Sequence, residues 1–161
     1  MAETKYPLIN RRHVAWANIK ITLVGYDGPP FQTGDISALD WDDSIEISKV
    51  RGTGPMHQGR AIGQYDSNAS ITMFLASALA FQAALLAGGK TALVDAPFDI
   101  EVHWEPLNGD GEVLSAKLVG AIISGRSSSN APSADATALE MPLSIDSVEL
   151  YDANGTVLRL V

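Results

Sequence analysis

The feature that most limits how this chain folds is the glycine-punctuated segment over residues 50–64, VRGTGPMHQGRAIGQ, which lies between an alternating run before it and a second alternating run and a short apolar stretch after it. Gly52, Gly54, Gly59 and Gly63, with Pro55 among them, raise the entropy cost of ordering, and few side chains here are large enough to build a core. Its charged groups are Arg51 and Arg60, with His57 between. Compact domains rarely keep an uncovered connection of this length unless it is functional or disordered. The segment is therefore expected to be an extended arm that becomes ordered on a partner, held out by a β scaffold.

The runs around the arm define that scaffold. Residues 1–14 carry Pro7, Asn10, Arg11, Arg12 and His13 and read as an extended N-terminal arm, with Tyr6, Leu8 and Ile9 available to latch onto a neighbour. Ala17, Ile19, Ile21 and Leu23 alternate with Asn18, Lys20 and Thr22, the pattern of a half-buried strand. Asp27-Gly28-Pro29-Pro30 ends it, because consecutive prolines remove ladder donors. A run over residues 36–41 follows, and then a strand over 44–50 with Ile45 and Ile47 on one face and Glu46 and Ser48 on the other. After the arm, residues 69–75 alternate as a strand, and Ser77 is placed to cap a helix over 78–87 inside a helical segment spanning 77–88. Gly88-Gly89 stops that helix, with Lys90 near its negative end. Gln82 is its one polar residue between positions 78 and 87, and a helix apolar all round is expected to be buried on more than one side, here against another subunit as well as its own sheet.

The second half is strand-rich. Phe98, Ile100, Val102 and Trp104 alternate with Asp99, Glu101, His103 and Glu105, and Asn108-Gly109-Asp110-Gly111 supplies a tight hairpin. A long return strand over 113–125 places Leu114, Leu118 and Ile122 on one face and Val119 and Ile123 on the other. Residues 126–136, small and Ser-rich with Pro132, read as a flexible loop. Leu139, Met141, Leu143 and Ile145 then oppose Glu140, Ser144 and Asp146, and a turn at 152–155 leads to the end of the chain. The whole is expected to be one domain over residues 1–161: a mostly antiparallel β-barrel or sandwich of about eight strands with one flanking helix. An open sheet of long strands leaves unpaired edges, which copies arranged in a cyclic ring would cover.

Residues 45–86 carry a family resemblance. Gly59-Arg60-Ala61-Ile62-Gly63-Gln64-Tyr65-Asp66, then the alternating 69–75 and a short Ala/Leu helix, resembles the central block of the tail tube proteins of tailed bacteriophages, an architecture shared with the tubes of contractile injection systems. The resemblance implies a β-barrel or sandwich subunit, six of which close into a ring, with rings stacked into a hollow tube through which DNA passes without specific binding. It also implies self-association, with tail sheath, tail terminator, tape measure and baseplate proteins as partners, no cofactor, and a place in the virion after assembly in the host cytoplasm. The long loop then makes the inter-ring contact, through Arg51, Gly52, Gly54, Met56, His57 and Arg60. The polar faces of long strands line the lumen, with Glu46, Ser48, Glu140, Ser144 and Asp146 as candidates.

Composition bears on the same point. With 19 acidic and 11 basic residues the formal charge is −8, which argues against a surface built to hold phosphates and suits a wall past which DNA slides. There is no cysteine, which removes disulfides, thiolate ligands and a Cys nucleophile. The N-terminus shows no basic stretch followed by an apolar run, and no segment approaches the length of a membrane span.

No catalytic signature emerges. Gly88-Gly89-Lys90-Thr91 lacks the leading glycine of a phosphate loop, since Ala84 stands there, and it follows a helix instead of preceding one. Asp40, Asp42 and Asp43 around Trp41 lack the Gly turn of a calcium loop, and His13, His57 and His103 have no zinc spacing. Glu101 and Glu105 are more simply a charged strand face than an acid–base pair. The rival reading is a monomeric β-sandwich binding module that uses Trp16, Trp41 or Trp104 as a ligand platform.

Overall fold

The computed structural model describes residues 19–24, 35–87, 89–104, 114–130 and 136–160. The expected N-terminal arm, Trp16, the Asn108–Gly111 turn and residues 131–135 of the Ser-rich loop lie outside them. The described chain is mostly strand with one helix: β1 (Ile19–Val24), β2 (Ile36–Arg51), β3 (His57–Phe74), α1 (Leu75–Leu86), a 3-10 turn (Leu93–Asp95), β4 (Phe98–Trp104), β5 (Leu114–Ile123), β6 (Ser127–Ser128), β7 (Ala138–Ser144), β8 (Ser147–Tyr151) and β9 (Val157–Leu158). All pairings are antiparallel, in the order β1-β4-β5-β7-β3-β2, with β8 and β9 continuing from β5 and β6 lying on β7. Among the described residues the sheet does not close on itself. It bends into two layers, because β5 pairs with β4 and β8 through its first part and with β7 through Ile122 and Ile123.

That handover depends on Gly120. Its φ of +68° lies in the left-handed region, and the register of β5 against β4 shifts between Leu118 and Ala121. The extra residue changes the parity of the strand: Ala116 and Leu118 are buried before it, Ala121 and Ile123 after it. The expected grouping of Leu114, Leu118 and Ile122 on one face is corrected accordingly: Leu114 and Leu118 share the phase of buried Ala116, but past Gly120 it is Ile123, and not the half-buried Ile122, that continues it. The Gly120 N–H donates to Asp99 Oδ1 at 2.9 Å, and a Cβ built on Gly120 would stand 2.2 Å from Asp146 Oδ2. The run expected to continue from Leu139 to Asp146 divides at Ile145 and Asp146 for the same reason: β7 belongs to one layer and β8 to the other.

The core lies between the layers. Ile71, Met73, Met141, Leu118, Ile100 and Val102 are fully buried, and α1 packs against it through Ala78, Phe81, Gln82 and Leu85. Phe81 meets Phe98 edge-to-face at 5.1 Å. Gln82 is buried and spans two elements, its amide N–H reaching Met141 Sδ at 3.4 Å while its carbonyl accepts from Arg126 at 3.1 Å. The helix begins three residues earlier than expected, and Ser77 does not cap it. Phe74 stands at the N-cap without a side-chain bond, the Leu75 N–H donates to the Thr137 carbonyl at 3.0 Å, and Ser77 Oγ donates to Asp35 Oδ1 at 3.0 Å. The helix ends at Leu86, so Lys90 is beyond its last turn. Its outward side exposes Leu75 and Leu79, consistent with the one-sided cover that an all-apolar helix leaves unfinished. In the Ser-rich segment, Ser127 and Ser128 are strand paired with Glu140 and Leu139, not free loop.

The outer face of β4, β5 and β8 is ion-paired. Lys117 lies 3.5 Å from Asp99 and 3.7 Å from Glu101, and the Asp99 carboxylate above all raises the Lys117 pKa. Tyr151 O–H donates to Glu149 at 2.7 Å, and Arg159 also binds that carboxylate. The tyrosine hydrogen bond first, and then Arg159, hold the Glu149 carboxyl below its ordinary pKa. A carboxyl depressed in the folded state contributes stability that is present above its unfolded pKa and lost as pH falls through the folded value. Tyr151→Phe is therefore expected to flatten the acid limb of the stability curve, measured by urea unfolding at a series of acidic pH values. Gly120→Ala should cost about 2 kcal/mol, from the left-handed backbone and the clash with Asp146. Part of that loss should return in Gly120→Ala/Asp146→Ala by the same assay.

Candidate assembly surface

The expected irregular arm over residues 50–64 is, in the structure, mostly strand. β2 and β3 pair continuously from Ile36 with Met73 out to Arg51 with His57, leaving only residues 52–56 as the connecting turn. The two runs expected at 36–41 and 44–50 are a single strand. Asp42 and Asp43 do not break it, because Asp42 faces solvent and Asp43 accepts a hydrogen bond from Tyr65 O–H at 3.3 Å. Glycines are tolerated in the arm because the ladder satisfies their backbone groups whatever the side chain. Gly63 has a further role, since a Cβ there would stand 3.0 Å from Glu46 Cβ and 3.1 Å from its Oε2, so Glu46 lies across it.

The core stops where the ribbon begins. Ser67 is buried and its Oγ donates to the Ile145 carbonyl at 2.8 Å, while Tyr65 Oη accepts from the Val148 N–H at 3.2 Å as its own O–H reaches Asp43. These two side chains moor the root of the ribbon to β7 and β8. Beyond them β3 pairs, among the described residues, with β2 alone, since its pairing with β7 ends at Asn68 opposite Ser144. A bulge between Ile45 and Ile47 adds local twist at that point. The ribbon over residues 46–51 and 57–64 projects roughly 20 Å at about 3.3 Å per residue. Ile47 and Ile62, directly opposite each other, are 55% and 72% exposed, and Met56 at the turn is 78% exposed. Lys49 stands opposite Arg60, a like-charge couple that repels itself. An isolated two-stranded ribbon is marginal in water, so this one depends on its moored root.

Of the residues expected to contact another ring, Arg51, Gly52, Gly54, Met56, His57 and Arg60 all lie on this ribbon or its turn. The five lumen candidates do not share one face. Glu140 and Ser144 lie on the solvent side of β7, opposite Thr72 and Asn68, and this side continues through Asp40 and Asp42 on β2. Ser70 Oγ donates to Glu140 Oε1 at 3.0 Å there. Glu46 sits at the bulge, Ser48 is out on the ribbon opposite Ala61, and Asp146 is in the turn over Gly120. Tyr65 and Ser67, which fix the ribbon's root, were not singled out by the sequence; their place in the alternating phase of Ala69 and Ile71 is the signal that would have found them.

Two of the three tryptophans meet. Trp41 and Trp104 lie with ring centroids 5.9 Å apart, in a cleft of about 430 Å³ shared with Ile21, Leu39 and Val102 between the two ends of the open sheet. Both rings are half-buried and pack on the core, so they close the seam more than they present a platform. Among the described residues no three His, Asp or Glu side chains gather as a metal site, and no helix is long and apolar enough to cross a membrane.

No family model and no curated protein matches the chain. Solved structures do. A chain of the extended sheath–tube complex of the extracellular contractile injection system PVC aligns over 92% of this chain and 94% of its own, with a TM-score of 0.60 and 16% identity. A chain of the tube-terminating cap of the anti-feeding prophage aligns over 94% of this chain and 99% of its own, with a TM-score of 0.61 and 17% identity. A chain of the PVC sheath/tube terminator gives 0.55 at 16% identity, covering 93% of this chain and 99% of that one. Over more than nine-tenths of its length the chain thus has the fold seen in tube and cap assemblies of contractile injection systems, the fold that the tail-tube resemblance implied. At these identities the likeness is one of architecture.

Replacing Arg60 by Glu turns the Lys49–Arg60 couple into an opposite-charge pair, which should stabilise the ribbon of the isolated protein by roughly 0.2–1 kcal/mol. Slower amide exchange across residues 47–51 and 59–62 by mass spectrometry is the expected readout.

Proposed function

We propose that this protein is a structural subunit of a tail-like tube, its copies closing into rings of six that stack into a hollow cylinder, and that the β2–β3 ribbon makes the contact between rings. The observation that carries this reading is the ribbon itself, a two-sided, self-repelling surface left bare on a fold shared with chains of tube and cap assemblies. Arg51, Gly52, Gly54, Met56, His57 and Arg60 make the inter-ring contact. The outward side of α1, with Leu75 and Leu79, meets the neighbour within a ring.

The solvent side of β7, with Glu140 and Ser144, lines the lumen, and Glu46, Ser48 and Asp146 stand at its margins. Sheath, terminator, tape measure and baseplate proteins are the further partners, in a particle assembled in the host cytoplasm. The inner tube of a contractile injection system is favoured over a DNA-conducting phage tail, because the similar chains belong to injection-system particles. In either setting the subunit is architectural, not enzymatic, and the net charge of −8 suits a conduit that does not retain nucleic acid.

The test is to cut the ribbon back to the Ile47–Ile62 couple and join those residues by an Asn-Gly turn. Wild-type protein is expected to form rings or tubes by negative-stain microscopy and velocity sedimentation. The shortened protein should keep its circular dichroism spectrum and unfolding midpoint but remain unassembled. A wild type that stays monomeric at high concentration, alone and with sheath or terminator proteins added, overturns the reading.

A further inference from the structure

The sign of charge reverses along the β2–β3 hairpin. From residue 36 to 46 on β2 every charged group is acidic, namely Asp40, Asp42, Asp43 and Glu46, and β3 contributes Asp66 between positions 66 and 74. From residue 47 to 65 the charged groups are Lys49, Arg51 and Arg60, without one carboxylate. Asp40 and Asp42 lie exposed on the solvent side of β2, opposite Ser70 and Asn68, so no cation faces either across the β2–β3 pairing. Among the described residues no ion pair involves Lys49, Arg51 or Arg60; the pairs present are those of Lys117, His103 and Arg159. Each half of the hairpin is therefore crowded with its own sign. A continuous antiparallel ladder carries the cationic half away from the acidic half, so one molecule cannot bring them together without breaking it.

We propose that the cationic outer half of the hairpin, Lys49, Arg51 and Arg60, seats on Asp40 and Asp42 of a second copy, making a heterologous head-to-tail contact that fixes the polarity of stacking. This rests on the tube reading and names the surface on which the ribbon lands. Among the described residues β2 pairs only with β3, so Asp40 and Asp42 lie at the border of the layer, where a neighbour reaches them while the β7 strip with Glu140 and Ser144 stays uncovered. A contact between two different patches of one chain is heterologous, and where copies are related by translation along the hairpin with no closing rotation it extends indefinitely. The occupant is another copy and not nucleic acid, because three cations beside a carboxylate-rich half on a chain of charge −8 make a poor phosphate surface.

The logic is tested by reversing each patch separately. Lys49→Glu/Arg60→Glu gives a subunit acidic at both ends of the hairpin, and Asp40→Lys/Asp42→Lys gives one basic at both ends. Each alone should raise the concentration needed for assembly at least tenfold in light scattering and negative stain, with an unchanged far-ultraviolet spectrum. Mixed in equal amounts, they should assemble near the wild-type threshold, since every contact between unlike subunits is then complementary. Assembly of either variant alone at the wild-type threshold, or failure of the mixture, overturns the proposal. In those cases the truncated ribbon still reports on the tube reading, which stands if truncation blocks assembly and falls if wild type never assembles. Capture of wild type by phosphatidylserine vesicles without self-assembly would assign the cationic half to a lipid surface and overturn the proposal as well.

Discussion

The pairing of β2 with β3 organises this molecule, and it does so by outrunning the core. Within residues 36–45 and 65–74 the two strands do what core strands do, burying Ile36, Leu39, Ile71 and Met73 against the opposite layer and α1. Past Tyr65 the same ladder continues with nothing beneath it, exposing Ile47, Val50 and Ile62. Hydrophobic burial cannot hold that outer half, since both faces are wet, and its hydrogen bonds contribute only modest net stability. It persists because the inner half fixes register and direction, with Tyr65 and Ser67 tied to β8 and to the Ile145 carbonyl at the point of departure.

The second layer depends on a single positive-φ glycine. Gly120 lets β5 leave one sheet and join the other while burying alternate residues on both sides of the break; Asp99 accepts from its N–H, and Asp146 crowds the space a side chain would need. Without that change of parity, Ala121 and Ile123 would point to solvent and β7 would lose its pairing with β5, keeping β3 and β6. Among the described residues the seam between β1 and β2 is open, and Trp41 and Trp104 line the cleft there.

Much of this layout was legible in the sequence, for identifiable reasons. The alternations at 98–104 and 139–143 mark strands with one buried face, and they are found where the pattern places them. The apolar run after Phe74 marks the helix, though its start moved because a backbone carbonyl, that of Thr137, did the work assigned to Ser77. The parity change at Gly120 was hidden, since a glycine within an apolar run does not announce its φ. The arm was misread for a related reason. Glycine lowers strand propensity locally, but pairing with an adjacent strand of strong pattern overrides it, and Ile47 opposite Ile62 was the cross-strand couple that betrayed the ladder. The residues expected to make an inter-ring contact lie on a projecting ribbon and its turn and not on an irregular loop, and their charge does not depend on that difference. The lumen candidates scattered, because alternation says that a residue faces away from the core but not which of two layers it belongs to.

Whether the segment is loop or strand matters for how a subunit of this kind assembles. An irregular arm that ordered only on contact would give up about 1–2 kcal/mol of backbone entropy per residue at that moment, an amount that over residues 50–64 exceeds what a few charge pairs return. A ribbon already paired has met that cost during folding of its own chain, so the contact needs only to offset the loss of rigid-body freedom and the desolvation of its charges. The like-charge couple of Lys49 and Arg60 works in the same direction: the two cations repel each other in the free ribbon, and an anionic neighbour would relieve that repulsion. A stiff, self-repelling projection is thus better suited to repeated identical contacts than a flexible one, because every copy presents the same shape and the same unmet charge to the next.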